Sequence, residues 1–407
     1  MSAISVKTAP IHTSMKKLLP YLALLTLVVT LCIGLGQKSL AIMPANNTIP
    51  FDADRWNISL APGGESRFES YLGQDSLYLR GGFATLKGET FQEGTLEYDV
   101  AFSNSRGFVG AIFRAADLQN HERFFMRPQQ SGSIDSVQYT PVFHDIQSWK
   151  LYYGEGFNGS YTFNFDQWMH VKLAIAGESA EVYVDDMTTP LYVIPHLKRP
   201  VADGMLGVFA LNPERVAGHF SNFSYSTTKP TLTFVEQTLD LLDAAPSGLI
   251  TTWEMSSLIP EMSLDSLTEL DDFDQSNLTT TLIETDEIGV ANISAYVTPT
   301  PEANTVLLQV NLNADRPQRQ ALEFGYSDFV KVYFNGKILY QGDNSFQSRN
   351  ELHLGTIGFY ETLYLPLKVG NNKLSVALSA SPQGTAGWGM VARLDNSQDL
   401  EISPGVL

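Results

Sequence analysis

The most regular pattern of apolar and polar residues in the chain lies between residues 94 and 102, where the two kinds alternate one by one. Apolar side chains occupy the even positions from 96 onwards, and mostly polar ones lie between them. A period of two residues is typical of a β-strand with one buried face and one polar face. The pattern therefore predicts a strand that presents the carboxylates of Glu97 and Asp99 on its polar face.

Short runs of the same kind, separated by Gly, Asn, Asp and Pro, continue from residue 51 to residue 225 without the period of an amphipathic helix. Regularly spaced strands and turns of this sort indicate an antiparallel sandwich. The Gly-containing segment 177–179 also predicts a hairpin between 170–176 and 180–184. The predicted strands are 76–80, 94–102, 109–114, 123–127, 136–139, 149–153, 168–176, 180–184, 205–211 and 218–225.

The second half of the chain repeats the strand-and-turn pattern after a linker. Residues 227–250 are polar and then mildly helical over 239–245, which we interpret as a connection between two domains. Beyond this linker we expect a strand from Trp253, and residues 305–312 alternate again.

Two hairpins are predicted in this half. The turn Asn335-Gly336 is the clearest, because both residues accept the positive φ angles of a type I′ turn. The other hairpin is expected at 363–378, with its turn at 370–372.

The balance of charge narrows the range of partners. The chain has 26 Lys and Arg against 44 Asp and Glu, and four of the Lys but none of the acids lie in residues 1–41. The remainder thus carries a formal charge of −22, which repels phosphate backbones and anionic membranes and argues against nucleic-acid binding. Such a surface is compatible with binding neutral glycans or divalent cations, or it only keeps the protein soluble.

Residues 1–41 have the layout of a secretory signal peptide. A basic start at Lys16 and Lys17 precedes the apolar run 18–35, and small residues follow as far as Ala41. The alternative is an uncleaved anchor, which would be the protein's one contact with a membrane. The single cysteine, Cys32, lies in this segment, so the mature chain would lack thiols and disulfides. We expect a secreted, periplasmic or cell-surface location.

Several segments of the first half together resemble a concanavalin A-like or laminin-G-like jelly roll. They are Gly-Thr-Leu-Glu-Tyr-Asp-Val, Phe-Val-Gly-Ala-Ile-Phe-Arg, Trp-Met-His-Val-Lys-Leu-Ala-Ile, Ala-Glu-Val-Tyr-Val-Asp-Asp and His-Phe-Ser-Asn-Phe-Ser-Tyr. The resemblance covers residues 50–226 and implies a fold shared by lectins, laminin-G modules and laminarinase-type glycosidases.

The second half resembles the galactose-binding-like jelly roll that is appended to many bacterial glycosidases. The segments that carry this resemblance are Val-Lys-Val-Tyr-Phe-Asn-Gly-Lys, Leu-Pro-Leu-Lys-Val-Gly-Asn-Asn-Lys-Leu-Ser-Val and Gly-Trp-Gly-Met-Val-Ala-Arg-Leu. We assign residues 251–407 to this domain. The expected fold class is all-β, with two antiparallel jelly-roll sandwiches in tandem after the signal peptide.

The resemblance to laminarinase-type enzymes bears on catalysis. Those relatives place Glu, Asp and a second Glu at alternate positions of one strand, and retaining hydrolysis requires both glutamates. Here Glu97 and Asp99 match the first two positions, but the third is Ala101. No catalytic residue is therefore assigned, although Glu122 or Asp135 could in principle supply a proton donor from another strand.

Three interpretations of Glu97 and Asp99 remain open. Arginines at 114, 123 and 127 lie on neighbouring predicted strands and could tie the carboxylates into the sheet as forks. The same carboxylates could instead accept hydrogen bonds from a glycan, or take part in catalysis.

The candidate ligand-binding residues follow from the second interpretation. A polar face is expected to carry Glu97, Asp99, Arg114, Arg127 and Tyr139, with the ring of Trp149 or Tyr153 stacking on a sugar; in the second domain the candidates are Trp388 and the loop 343–350. Trp149 and Trp388 have the alternative of being ordinary core aromatics.

No cofactor is expected apart from calcium, for which Asp272, Asp274 and Asn277 are candidate ligands. The sequence contains no nucleophile elbow, no phosphate-binding glycine loop and no zinc motif. We therefore expect an exported, non-catalytic protein that binds carbohydrate, such as a cell-surface glycan, or another cell-surface partner. The alternatives are an exported glycoside hydrolase or lyase with the second domain as substrate anchor, and a purely structural surface module.

Overall fold

The structure, a computed structural model, describes residues 48–212, 215–235, 238, 246–381, 386–395 and 400–405. The predicted N-terminal segment 1–41 and the helical stretch 239–245 lie outside the described residues. Within the described ranges, no helix is both long and apolar enough to cross a membrane.

The first half of the chain, counted over its described residues, folds into thirteen antiparallel strands of one continuous sheet, here called the first sandwich. Its strands are β1 (Trp56–Tyr71), β2 (Gln74–Leu86), β3 (Gly94–Ala101), β4 (Phe108–Asp117), β5 (Asn120–Met126), β6 (Val137–Phe143), β7 (Ile146–Gln147), β8 (Asn158–Gly159), β9 (Met169–Ala176), β10 (Ser179–Val184), β11 (Tyr192–Ile194), β12 (Met205–Leu211) and β13 (Gly218–Ser226). Neighbouring strands follow the order β11-β10-β9-β3-β13-β2-β12-β4-β5-β6-β7, with β1 paired to β2 and β8 to β6.

A change of partner along β2 turns this one sheet into a sandwich. Residues 77–79 of β2 pair with β13, whereas residues 82–85 pair with β12. β1 follows β2 through a bulge between Leu60 and Glu65. Layer A then consists of β11, β10, β9, β3 and β13, and layer B of β12, β4, β5, β6 and β7. Side chains of both layers, such as Tyr98 and Phe124, share one buried core.

Two local predictions for the first sandwich are confirmed. β3 runs from Gly94 to Ala101, and its inward residues Leu96, Tyr98 and Val100 are fully buried, as the alternation predicts. The segment 177–179 joins β9 and β10 as an antiparallel hairpin.

One predicted strand of the first sandwich is wrong, and four of its strands, the long β1 and the short β7, β8 and β11, were not predicted. Residues 149–153 form turns, because the backbone of Lys150 bonds to residues of the second half, accepting from the Ile357 N–H and donating to the Ala386 carbonyl. The long strand β1 was not predicted, since most of its side chains are exposed and give no apolar alternation.

Two further antiparallel sheets, here called the second sandwich, occupy the described residues from 252 onwards. Their strands are β14 (Thr252–Ser256), β15 (Thr280–Glu284), β16 (Val290–Asn292), β17 (Thr305–Ala314), β18 (Gln318–Ser327), β19 (Phe329–Phe334), β20 (Lys337–Asp343), β21 (Glu361–Leu367), β22 (Gly370–Ser379), β23 (Gly389–Leu394) and β24 (Leu400–Pro404). One sheet has the order β15-β14-β17-β22-β19-β20 with β24 on β17, and the other has the order β16-β23-β18-β21.

Short 3-10 helices connect some of the strands in both sandwiches. They lie at Pro128–Gln130, Glu261–Leu264, Leu270–Asp272 and Ile293–Ala295. The domain boundaries at 50–226, 227–250 and 251–407 remain predictions.

The two hairpins predicted for the second half have opposite outcomes. β19 and β20 form the expected hairpin, and both Asn335 and Gly336 have positive φ. The hairpin around 370–372 is wrong, because β21 pairs with β18 in one sheet whereas β22 pairs with β17 and β19 in the other. The chain crosses between the two sheets at this point, and Asn372 caps the crossing by donating to the Leu312 and Lys368 carbonyls.

The two sandwiches meet at a junction, here called the seam. Lys150 of the first sandwich forms an ion pair with Asp328 of the second, and both side chains are almost fully buried. His144 Nδ1 lies 2.8 Å from the Ser294 carbonyl, and Leu151 packs into an apolar cluster with Val290. Residues 48–407 accordingly form one compact unit.

Candidate functional site

Glu97 and Asp99 project outward from β3 and share one partner, His170 of β9. The His170 Nδ1 atom lies 2.6 Å from Asp99 Oδ1, and Nε2 lies 3.2 Å from Glu97 Oε2. Direct pairing of β3 with β9 places Asp99 opposite His170, so the sheet register itself assembles the group. Both nitrogens of the ring are therefore engaged by carboxylates.

These contacts determine the charge of His170. Burial alone would lower its pKa, but hydrogen bonds and attraction from Asp99 and Glu97 outweigh burial and raise the pKa to about 9. The imidazole is thus an imidazolium at neutral pH, and one positive charge compensates half of the charge on two carboxylates. Sequence reasoning missed His170, because only the pairing of β9 with β3 reveals it.

The arginine forks, the first of the three interpretations, are wrong. Arg123 of β5 bonds to His121 of its own strand. Arg114 donates to the Gln92 and Gly177 carbonyls, and Arg127 donates to the Asp135 carbonyl and to Gln138 Oε1. Both arginines come from layer B, whereas Glu97 belongs to layer A. Arg114 and Arg127 therefore do not share the polar face of Glu97 and Asp99.

The prediction that Tyr139 and Trp388 contact a ligand is also wrong, because both side chains are fully buried. Tyr139 lies in the core of the first sandwich, where its hydroxyl donates to Glu122 Oε2 at 2.7 Å. Trp388 lies in the core of the second sandwich, and its indole N–H donates to the Leu378 carbonyl at 3.2 Å. Neither ring reaches the surface.

Ala101, the position that would carry a second glutamate, is fully buried although it shares the outward face of Asp99. Its cross-strand neighbour is His219 of β13, which stacks on Tyr71 with ring centres 3.6 Å apart. His219 Nε2 also lies 2.9 Å from Glu69 Oε1. A ring pair thus occupies this part of the face.

An open cleft of about 640 Å³ adjoins the carboxylates. Asn222 connects the two, because its Nδ2 lies 2.7 Å from Asp99 Oδ2 and 3.1 Å from Gln74 Oε1. We call this space the Asn222 cleft. Its lining includes Phe68, Glu69, Gln74, Asp75, Ser221 and Asn222.

The remaining aromatic candidates lie at the seam. The ring of Trp149 meets Phe346 of the second sandwich edge-on, with centres 6.2 Å apart, and the Arg127 guanidinium carbon lies 5.5 Å from the Trp149 ring centre. Burial and the carboxylate of Asp135 raise the pKa of Tyr153 to about 12. Trp149, Tyr153 and Arg127 are therefore together, but away from Glu97 and Asp99 in the sheet order. Their roles in binding remain predictions.

The calcium prediction also remains a prediction. Asp272 belongs to a 3-10 helix, and Asp274 Oδ1 accepts a hydrogen bond from the Ser276 N–H at 3.0 Å. Over the described part of the chain, no group of three or more His, Cys, Asp or Glu is placed to hold a metal ion.

No known protein family matches the chain, and no curated protein matches it in sequence. Among solved structures it is similar to carbohydrate binding module CBM66 from Bacillus subtilis, with 15% identity, a TM-score of 0.33, and 44% of this chain and 97% of that one covered. It is also similar to a Bacillus subtilis protein of unknown function with a galectin-like fold (12% identity, TM-score 0.33, covering 44% and 94%). A third similarity is to a Bacillus licheniformis β-glucanase (11% identity, TM-score 0.32, covering 45% and 96%). With TM-scores this low, these similarities assign neither a ligand nor an activity.

Proposed function

We propose that this is an exported protein that binds carbohydrate in the Asn222 cleft without cleaving it. In this proposal the first sandwich is a concanavalin A-like or laminin-G-like domain and the second a galactose-binding-like domain. Export rests on the signal-peptide pattern of residues 1–41. The partner would be a polysaccharide or a cell-surface glycan.

The observation that carries the proposal is the engagement of both ring nitrogens of His170 by Glu97 and Asp99. Retaining hydrolysis needs one carboxyl group free to attack and another that can donate a proton. Here an imidazolium holds both carboxylates as oriented, charged acceptors, and Ala101 stands at the position of the second glutamate. Oriented acceptors suit hydroxyl groups, which are the polar groups that a sugar offers.

The cleft supplies complementary groups. The side-chain amides of Asn222 and Gln74 each combine donors with an acceptor, and the partly exposed Phe68 adds an apolar surface. A formal charge of −22 outside residues 1–41 favours an uncharged ligand over an anionic one. Neutral polysaccharides are therefore the proposed class.

The test is binding of neutral polysaccharides by titration calorimetry, with the variant Asn222→Gly. Asn222 has a positive φ of 48°, so glycine removes the amide without straining the backbone. We expect about a tenfold loss of affinity. The matched control is Asn57→Ala, an exposed asparagine of the same sandwich, which should bind like the unmodified protein. Equal affinity for both variants would refute the proposal.

The enzyme alternative is tested on the same panel by release of reducing ends. No release above the buffer rate is expected. If the protein does release reducing ends, and Glu97→Gln and Asp99→Asn both abolish the release, the strand is catalytic and the non-catalytic proposal is wrong.

A further inference from the structure

A second cavity, of about 350 Å³, lies in the loop region between β20 and β21 and shares no residue with the Asn222 cleft. We call it the seam pocket. Its volume is at the lower end of the range of about 300–1,000 Å³ for small-molecule sites. Its lining includes Tyr326, Asn344, Arg349, His353, Tyr360 and Glu361.

The polar groups of the seam pocket have no net charge. Arg349 Nη2 pairs with Glu361 Oε1 at 3.1 Å. Burial, Arg349 and Lys150 all lower the pKa of His353, so this ring is neutral at neutral pH. A neutral, hydrogen-bonding pocket matches an uncharged ligand with several hydroxyl groups better than an anion or a cation.

Two large side chains that line this polar pocket, and a third in the same loop, remain open to solvent. Leu352 is 87% exposed, Tyr360 is 70% exposed and Phe346, which follows Asn344 in the same loop, is 43% exposed. Phe346 is also in edge contact with Trp149 of the first sandwich. Clustered exposed aromatic groups are a sign of a binding surface, and rings offer flat apolar area beside polar tips.

The first sandwich fixes the pocket in place. The Ile357 N–H, in the pocket loop, donates to the Lys150 carbonyl at 3.0 Å, and the buried Lys150–Asp328 pair lies beside it in the seam. Within the loop, Asn344 donates to the Tyr326 and Gly355 carbonyls. A pocket formed before the ligand arrives loses less entropy on binding.

We propose that the seam pocket binds one uncharged pyranose ring of a glycan, with contacts from both sandwiches. Tyr360 lies against the apolar face of the ring, the Arg349–Glu361 pair and His353 bond its hydroxyls, and Trp149 with Phe346 supports the neighbouring ring. The proposal rests on the proposed function for the class of ligand, but it adds a second site and a role for the first sandwich in that site.

The experiment uses the full chain and ligand-observed NMR with cellotetraose, laminaritetraose, xylotetraose, mannotetraose and tetragalacturonate as probes. At least one neutral probe should bind, and tetragalacturonate should bind at least about tenfold more weakly. Tyr360→Ala should lower the affinity for that neutral probe by about tenfold. Tyr364→Ala is the matched control, because Tyr364 is 58% exposed, lies four residues away and does not line the pocket.

The role of the first sandwich is tested with Trp149→Ala. Should that variant fail to fold, Phe346→Ala removes the second-sandwich side of the Trp149–Phe346 contact instead. Each of these two variants should lower the affinity for the same neutral probe. The proposal is overturned if Tyr360→Ala binds like Tyr364→Ala, or if tetragalacturonate alone binds.

The outcomes also separate this proposal from the proposed function. If Asn222→Gly abolishes all binding and Tyr360→Ala has no effect, the seam pocket fails and the Asn222 cleft stands. If Tyr360→Ala reduces binding and Asn222→Gly does not, the seam pocket stands and the Asn222 cleft fails. If the unmodified protein binds no probe and no polysaccharide, both fail.

Discussion

Among the contacts between cations and carboxylates in this molecule, the pair in the seam and the group on β3 and β9 differ most usefully in exposure. In the seam, the side chains of Lys150 and Asp328 are 2% and 0% exposed. On the outer face of layer A, the side chain of His170 is 32% exposed between Glu97 and Asp99, which are 13% and 14% exposed. Both arrangements are ion pairs, yet they have different consequences.

In the seam, both charges are removed from water, so each depends on the other for compensation. Asp328 also accepts hydrogen bonds from the Ser327 hydroxyl and the Ser381 N–H, so its charge is fully enclosed by donors. On the outer face, water screens the charges and reaches the side chains, so a ligand can reach them too. Under the proposed function the buried pair serves structure and the half-exposed group serves binding, so changes at the two places should separate stability from affinity.

The largest expected effect is at the seam. Lys150→Met leaves the carboxylate of Asp328 buried without a cation, and we expect a loss of about 3–5 kcal/mol in the free energy of unfolding. Urea denaturation measures this loss. The double variant with Asp328→Leu removes both charges and should recover most of it. A single variant as stable as the unmodified protein would show that the seam pair is not structural.

The alternation of buried and exposed residues is visible in the sequence, whereas the pairing of distant strands is not. This difference explains which parts of the fold could be predicted. Strands such as β3 and the Asn335-Gly336 hairpin could be predicted, because period-two burial and turn geometry are local. The hairpin at 370–372 was predicted wrongly, because β22 pairs with the distant β17 rather than with β21. The choice of a long-range partner has no local signature.

The same limit applies to the candidate site. Glu97 and Asp99 were placed correctly on an outward face, but their partner His170 is 71 positions from Asp99 in the chain. Arg114 and Arg127 lie on or next to the strands that follow β3 in sequence, yet these strands belong to the other layer. Aromatic residues were the least predictable, since Trp388 is buried and Trp149 lies at the seam, and composition does not distinguish these environments.

A buried carboxylate without a cation in hydrogen-bond contact gives an intermediate case. Glu122 is fully buried, and its pKa is raised by burial although the Tyr139 hydroxyl and the Arg199 N–H both donate to it. Tyr139→Phe removes the hydroxyl donor and also the acceptor for the Lys198 N–H.

For Tyr139→Phe we expect a loss of about 1–3 kcal/mol in the free energy of unfolding, because buried groups lose hydrogen-bond partners. Affinity for carbohydrate should not change, since Tyr139 lies in the core. Thermal and urea denaturation with parallel calorimetry would check both parts. If the variant lost affinity without losing stability, Tyr139 would be a ligand-binding residue after all. The assignment of structure to the core and of binding to the outer face would then be wrong.

The smallest effect is expected on the outer face, where it depends on pH. The pKa of His170 rises from 6.5 to about 9 on folding, so the folded protein binds the proton more tightly. Its contribution to stability is complete below pH 6.5 and is lost as the pH rises through about 9. With solvent screening of a group about one-third exposed, the contribution is on the order of 1 kcal/mol.

Urea denaturation of the unmodified protein and of His170→Gln, between neutral pH and pH values above 9, isolates this contribution. The difference in stability should be largest near neutral pH and should shrink at alkaline pH, because His170 has then lost its proton. Asn57→Ala, at an exposed side chain of the first sandwich that carries no titratable group, provides the control, and its stability difference should not change with pH in this way. A difference that stays constant with pH would mean that the ring acts by packing alone. Glu97 and Asp99 would then lack the compensating charge on which the comparison with the seam depends.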